Sequence, residues 1–347
     1  MACVIGWDLG GANLKLARIE DGRAVDVAQI PCPIRQDRGK FDAALEEALA
    51  LCPPGAGHAV TMTGELSDVF ADRAEGVAYL VDMMRAASDG EALFYGGRSG
   101  FLDCIRAVEH SFDVASANWH ASAMLIAQVI PDGLFVDAGT TTTDLVPLKA
   151  GAVAARGYSD GERLAESELV YTGVVRTPVV AVARTAPFKG RMQRIAAERF
   201  ATMADVWRLL GELPADADPY PTPDLAGKSV QESAARLARM LGRDADEAGL
   251  LAFADLASHF AECQLAEIEE AARTLIAREA IKPDAPVIGA GCGRFIAKQL
   301  ASRLVRPYCD FAELIDCAPD VREMAASCAP AVAVGLLAQG EFFLPPA

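Results

Sequence analysis

Short apolar runs that stop abruptly at a charged or glycine-rich turn recur along this chain. Residues 4–7 form a buried-type strand that runs into Asp8, and residues 13–19 alternate into a second strand. After the turn EDGR, residues 24–30 make a third. Helical spacing with many alanines follows at 41–51, then a strand at 58–63, a helix at 76–87 and a strand at 92–95 before GGRSG. Strands alternating with helices from the first residues predict an α/β domain.

The pattern then restarts. Residues 133–136, 145–148 and 152–156 are strands, separated by the turns DAGTTTTD and KAG. Laid over the N-terminus without gaps, Asp8 falls on Asp137, Gly10 on Gly139, Gly11 on Thr140, Asn13 on Thr142 and Lys15 on Asp144. One strand–turn–strand device thus occurs twice, a domain length apart. Residues 190–211, 230–242 and 246–280 read as helices, with the Pro- and Asp-rich loop DADPYPTPDLAGK after the first. The expected organisation is a first domain of residues 1–125 plus about 325–347 and a second of 126–324. A helical insertion occupies about 189–280 of the second. Strand, Gly-rich turn and helix follow in PVIGAGCGRFIAKQLASRL, and CAPAVAVGLLAQ reads as an alanine-rich helix packed on the first domain.

Composition narrows the partners. The 347 residues suit two domains, and 52% hydrophobic residues supply a large core. A formal net charge of −16 repels nucleic acid but admits a small anion wherever a local Lys or Arg outweighs it. Nine scattered cysteines without a CxxC pair, and four dispersed histidines, point to free thiols rather than a zinc site. The N-terminus lacks the pattern of a signal peptide. No uncharged run reaches the ~18 residues needed to span a bilayer. The expectation is a soluble cytoplasmic protein without nucleic-acid or membrane partners, its oligomeric state open.

The two turns carry the chemistry. A hairpin tip of Gly and Thr presents several N–H groups on one concave face, which suits a phosphate oxygen, and Thr140 to Thr143 add hydroxyls. Alternation places Asn13 and Lys15 on one face of their strand. Asp8 and Asp137, each at the end of a first strand, with Asp144, are candidate Mg²⁺ ligands, since Mg²⁺ commonly takes one or two carboxylates plus phosphate oxygens. If the two domains face each other across a cleft, Asp8, Lys15, Asp137 and Asp144 converge. The plainer alternatives are turn-capping aspartates, a β-branched strand and a solvated lysine.

DLGGANLK and DAGTTTTD resemble the paired phosphate motifs of the acetate kinase, sugar kinase, Hsp70 and actin superfamily, and VIGAGCGRF sits where its adenosine motif lies. The resemblance implies two ribonuclease-H-like domains around a cleft. Seven further blocks resemble the hydantoinase/oxoprolinase-like proteins of the tetrahydromethanopterin-linked one-carbon pathway. They are GGANLKLA, MTGELSDVF, SANWHASA, DAGTTTTDLVP, YTGVVRTPV, ERFATMADVWRLLG and PDLAGKS with SAARLARM.

That resemblance implies a reaction of methanofuran biosynthesis. An aminomethyl-furanmethyl diphosphate loses pyrophosphate as a phenol oxygen, of (γ-glutamyl)tyramine or a tyrosine-type acceptor, attacks its methylene. The diphosphate site is then Gly10, Gly11, Asn13, Lys15, Gly139, Thr140, Thr141, Thr142 and Lys228, with Mg²⁺ on Asp8, Asp137 and Asp144. Lys15 and Asp144 also count as catalytic. Glu65, at a Gly turn after a strand, is the expected base, with Asp68 in reserve. Substrate contacts fall to Asn118, Trp119, Arg176 and Gly291. His120 reads as an interior histidine. PDLAGKS heads a helix whose N-terminus favours anions, so Lys228 and Arg236 of the insertion are candidates for binding diphosphate or a substrate carboxylate, against the plainer reading of solvated charges. The only two asparagines, Asn13 and Asn118, both stand inside these blocks. Cys292, Arg294 and Phe295 are bulky for a surface that receives adenine, which argues against ATP. An ATP-dependent kinase or hydantoinase-type enzyme, and a non-catalytic nucleotide sensor, remain the alternatives.

Overall fold

A computed structural model describes residues 3–34, 38–88 and 92–343, and the chain divides into two compact units. The first comprises Met1–Gly133, Val146–Glu166 and Cys309–Ala347; the second comprises Leu134–Leu145 and Ser167–Tyr308. Residues 1–2 and 344–347, the ends of the expected first domain, lie outside the described residues.

Strands β1 (Cys3–Leu9), β2 (Asn13–Glu20) and β3 (Arg23–Pro31) form an antiparallel meander. Helix α1 (Gly39–Leu49) leads to β4 (Gly57–Met62), parallel to β1, and α2 (Arg73–Ala87) leads to β5 (Ala92–Tyr95), parallel to β4. The short β6 (Phe101–Leu102) completes the order β3-β2-β1-β4-β5-β6. Helices α3 (Cys104–Glu109), α4 (Ser111–Val114) and α5 (Asn118–Ala127) follow.

The motif restarts at β7 (Gly133–Ala138), β8 (Thr143–Lys149) and β9 (Ala152–Val153). Next come α6 (Asp160–Ala165), β10 (Leu169–Val170), α7 (Val179–Val182) and the hairpin β11 (Thr185–Phe188) with β12 (Arg191–Arg194). Three helices form the insertion: α8 (Met203–Leu209), α9 (Val230–Met240) and α10 (Leu250–Glu279). The last elements are β13 (Val287–Ala290), α11 (Arg294–Leu304), β14 (Tyr308–Asp310), α12 (Arg322–Ser327) and α13 (Ala329–Phe343). The second sheet runs β10-β8-β7-β13-β14, and β13 lies parallel to β7 as β4 does to β1.

Both sheets thus start with the same hairpin. Gly10 N–H donates to the Asn13 carbonyl at 3.1 Å, and Gly139 N–H to the Thr142 carbonyl at 2.9 Å, at positions that the gapless overlay equates. One helical expectation fails. Residues 190–194 belong to a hairpin, because Lys189 (φ +50°) and Gly190 (φ +77°) make a left-handed turn that no helix accepts. The helix waits until Met203, where Thr202 and Asp205 build a capping box.

Burial explains the rest. On α10, Phe253, Leu256, Phe260, Gln264, Leu265, Ile268 and Leu275 face the core of the second unit, which also holds Trp207 and Leu237. In the first unit Ile5, Trp7 and Leu9 enter a core with Phe41, Leu45, Leu80 and Phe94. The other face of β1 takes α13 so closely that a Cβ on Gly6 would stand 2.0 Å from the Ala331 carbonyl oxygen and 2.7 Å from the Gly335 nitrogen. Among the described residues no single helix is long and apolar enough to cross a membrane, and none of the nine cysteines is in a disulfide.

Gly6→Ala must push α13 off the sheet and is expected to cost at least ~2 kcal/mol. Gly161→Ala, on α6 with open space around it, should be neutral or stabilising by up to ~1 kcal/mol. Urea unfolding of the two variants checks the contrast.

Candidate active site

Ligand sites in α/β sheets open at the carboxyl ends of parallel strands. In the first unit that edge carries Asp8 and Thr61, register partners on β1 and β4, and Lys15, the partner of Asp8 on β2. Alternation puts these side chains and Asn13 on one face. Lys15 Nζ donates to Asp8 Oδ2 at 3.2 Å. Asp8 Oδ1, Asn13 Oδ1 and Thr61 Oγ1 are buried with no hydrogen-bond partner. Each such group costs ~1–3 kcal/mol left dry, so the cluster suits a water, a cation or a ligand donor. Gly10 and Gly11 form the adjoining half-buried turn. Helix α13 runs antiparallel to β4, with Phe342 against Gly57 and Ala331 against Gly6, so its positive N-terminal end lies toward Asp8. Thr61 carries no signal in the sequence beyond its place two residues before the MTGEL turn's Thr63.

Glu65 follows β4 on a single helical turn and is 1% exposed. The backbone of α2 presses on it: a Cβ on Gly76 would stand 2.6 Å from the Glu65 carbonyl oxygen. Ser116 donates its N–H at 2.9 Å and its hydroxyl at 3.1 Å, both to Glu65 Oε1, while Oε2 has no partner. Burial pushes the Glu65 carboxyl up to about 7; Glu65's own backbone N–H and then the Ser116 hydrogen bonds oppose that rise, and the charge of Asp160 adds to it. Asp68, the reserve base, is exposed. Ser116 lies inside the SANWHASA block, two residues before Asn118, and the block was its only signal.

Trp119 is 2% exposed and already covered: the Arg163 guanidinium stacks 3.9 Å from its ring centre, and Tyr158 and His120 flank it. Its ring is therefore a wall packed by the chain itself rather than an open floor for a substrate. His120 is interior as expected. Tyr95 Oη lies 2.8 Å from its Nδ1, and burial, then Arg98 and Arg163, hold its pKa down to about 4, so the ring is neutral. Asn118 opens α5, half-buried.

In the second unit, Asp137 is the next-to-last residue of β7 and pairs in register with Ala290 of β13. Gly291 (φ +84°) lets the next turn lie on β7, where a Cβ would fall 2.3 Å from the Ala138 carbonyl oxygen and 2.4 Å from Asp137 Oδ1. The Thr140–Thr141 turn is held from below by segment 173–176. Val174 N–H donates to the Gly139 carbonyl, and Val175 and Arg176 N–H to that of Thr140. Arg176 Nη1 reaches Thr141 Oγ1 at 3.4 Å, so a guanidinium, two hydroxyls and turn amides share a small region. Asp144 pairs with Leu169 across β8 and β10. Gln264 on α10 anchors this segment, donating to Thr172 Oγ1 and the Gly173 carbonyl and accepting from Trp207 Nε1. Phe295 turns onto Trp207, ring centres 4.9 Å apart, so its bulk is spent in the core and does not by itself crowd the Gly291 turn.

The insertion cations are engaged elsewhere. Arg236 is fully buried and paired with Asp205 at 2.7 Å and Asp224 at 3.1 Å, a structural role in place of the expected anion contact. Lys228 bonds the Asp218 carbonyl and lies 3.6 Å from its carboxylate. The α9 N-terminus, open to an anion in the sequence, is filled by the chain's own Glu232, which accepts from Gly227, Ser229 N–H and Ser229 Oγ. Among the described residues no group of three or more His, Cys, Asp or Glu is arranged to hold a metal ion.

A buried carboxyl that ionises near 7, against an ordinary value of 4.5, holds more protons folded than unfolded between those limits. Its contribution is favourable at low pH and is lost as pH rises through that window. Glu65→Gln should therefore gain stability relative to the parent on going from pH 5 to pH 8. Thermal melts of both proteins at the two pH values test the sign.

A family model described as hydantoinase/oxoprolinase matches residues 56–307. A Methanocaldococcus jannaschii protein, (4-{4-[2-(gamma-L-glutamylamino)ethyl]phenoxymethyl}furan-2-yl)methanamine synthase, is 33% identical over 243 residues, 70% of this chain and 72% of that protein. The protein of the same name from Methanococcus vannielii is 32% identical over 114 residues, 33% of this chain and 51% of the relative. Among solved structures, nucleotide-free acetone carboxylase superposes with a TM-score of 0.59 at 11% identity, covering 96% of this chain and 70% of that one. At that identity the likeness concerns the fold alone, an α/β architecture built on two sheets. The relatives are enzymes, the family match runs through more than half of the sequence, and this chain belongs to the hydantoinase/oxoprolinase family.

Proposed function

We propose that this protein is a cofactor-biosynthesis transferase that forms an aryl ether. Its substrates are an aminomethyl-furanmethyl diphosphate and the phenol of (γ-glutamyl)tyramine or a close tyrosine-type acceptor. The names of its relatives describe a product in which a phenol oxygen is joined to a furan methylene, which supports this reading. The observation that carries it is Glu65: a sealed carboxyl with a pKa of about 7 and one unpartnered oxygen. A phenol with a free pKa of ~10 needs such a base at neutral pH.

The reaction balances as a displacement. The phenolic proton passes to Glu65, and the phenol oxygen bonds the furan methylene. The bond from that methylene to the diphosphate breaks, its electron pair leaving on pyrophosphate. The furan stabilises positive charge on the methylene, so the leaving group chiefly needs its own charge balanced. Lys15 is the cation proposed for that role. Mg²⁺, when bound, would neutralise diphosphate oxygens. Asp8 fits such an ion, because Mg²⁺ takes few protein carboxylates and keeps much of its water, and Asp8 Oδ1 lacks a partner. In the second unit Thr140, Thr141 and Arg176 form a donor set suited to phosphate oxygens. The same set would suit a nucleotide phosphate, which keeps ATP use as the second reading.

Purified protein given the furan diphosphate, γ-glutamyltyramine and Mg²⁺ should release pyrophosphate and the ether without ATP, read by coupled assay and mass spectrometry. No release, or a strict need for ATP, sinks the proposal. Lys15→Ala should lower kcat on the order of 10²-fold with an unchanged circular dichroism spectrum. Glu65→Gln should lower it ~10²-fold or more and remove the rise of rate with pH through 7.

A further inference from the structure

Ser116 stands between α4 and α5 with φ +55°, a left-handed backbone that L side chains adopt uncommonly and at a cost on the order of 1 kcal/mol or more. It directly follows Ala115, the extended C-cap of α4 (φ −60°, ψ 128°), and precedes the start of α5 at Asn118 by two residues. Ala115 forms a parallel bridge with Met62, which fixes this segment beside the end of β4. The left-handed step then turns both donors of Ser116 back onto one oxygen of Glu65, at 2.9 and 3.1 Å, leaving the other oxygen buried and bare.

We propose that Ser116 is a positioning residue for Glu65: it immobilises Oε1 with two donors, leaves Oε2 alone to take a substrate proton, and stabilises the ionised form that does so. This rests on the reading of Glu65 as the base. The surrounding charges do not perform that service. Asp160, from α6, opposes ionisation, and Arg73 of α2 is 3.7 Å from Asp160. Glu75 on α2 is bonded to Arg38 and Ala71, His120 on α5 is neutral, and Asp68 on the Glu65 turn is exposed. Hydrogen bonds to the charged form lower the carboxyl's pKa instead, first from Glu65's own backbone N–H and then from the hydroxyl and N–H of Ser116.

The test uses Ser116→Ala and Ser116→Gly in the full chain. Both lose the hydroxyl and keep the N–H; glycine also accepts the left-handed backbone, so it retains the fold if alanine does not. Infrared difference spectra, with Glu65→Gln as the blank, follow the Glu65 carboxyl without substrate. Its midpoint should move up by about one unit in both variants. In the pyrophosphate assay the rise of kcat/KM with pH should move equally, giving a loss of about ten-fold at pH 6 and less than about three-fold at pH 9. An unmoved midpoint, or a rate lowered equally at all pH values, overturns the proposal. A moved midpoint in a protein that makes no ether supports the hold of Ser116 on Glu65 and counts against the proposed reaction instead.

Discussion

Backbone laid directly on backbone is the constraint from which the candidate site takes its shape. Helix α13 rests on β1 with no room for a Cβ at Gly6, α2 lies on the Glu65 turn through Gly76, and the Gly291 turn lies on the end of β7. Such contacts bring rigid elements closer than side chains allow, and interiors at crystal-like density transmit that position to whatever follows. Asp8 stands two residues beyond a close approach of this kind, and Glu65 and Asp137 stand at one. Their carboxylates are held by strands and helices rather than by loops, which is the arrangement that keeps reactive groups in place.

Two buried charges show how differently the chain treats structure and chemistry. Arg236 is sealed in the insertion, with Asp205, Asp224 and the Gly227 carbonyl around it. Removing either partner would strand a charge, so this cluster specifies packing. Glu65 is sealed as deeply but has no cation; two donors from a left-handed serine bond one oxygen, and the other has no hydrogen-bond partner. A buried carboxyl left this way is kept against stability, and such groups concentrate where protons are moved. Trp119 falls between these cases, its face closed by Arg163, so that it supports the wall near α5.

Much of this was legible along the chain. Alternating runs marked the strands, and the repeat of Asp-x-Gly at a fixed offset marked the duplication, which the matched bonds of Gly10 and Gly139 express in three dimensions. Glu65 was legible as a carboxylate at a strand end, but not its depth. Ser116 and Gln264 were not legible as site residues, since their roles lie in partners 51 and 92 positions away. The helix read across 190–202 was wrong because composition alone does not reveal a left-handed turn at Lys189 and Gly190.

What the sequence determined by itself was local: which segments alternate, where turns interrupt them, and which turns carry carboxylate, lysine or threonine. Those depend on residue type and near-neighbour spacing. What only the tertiary structure decided was which polar groups are left without a partner and which are used up. Glu232 fills the helix end that the sequence offered to an anion, Asp218 engages Lys228, and Arg163 covers Trp119. The bare oxygens of Asp8 and Glu65 are equally invisible in one dimension. The physical reason is that burial and hydrogen-bond satisfaction are sums over everything that packs around an atom, and most of that comes from distant parts of the chain.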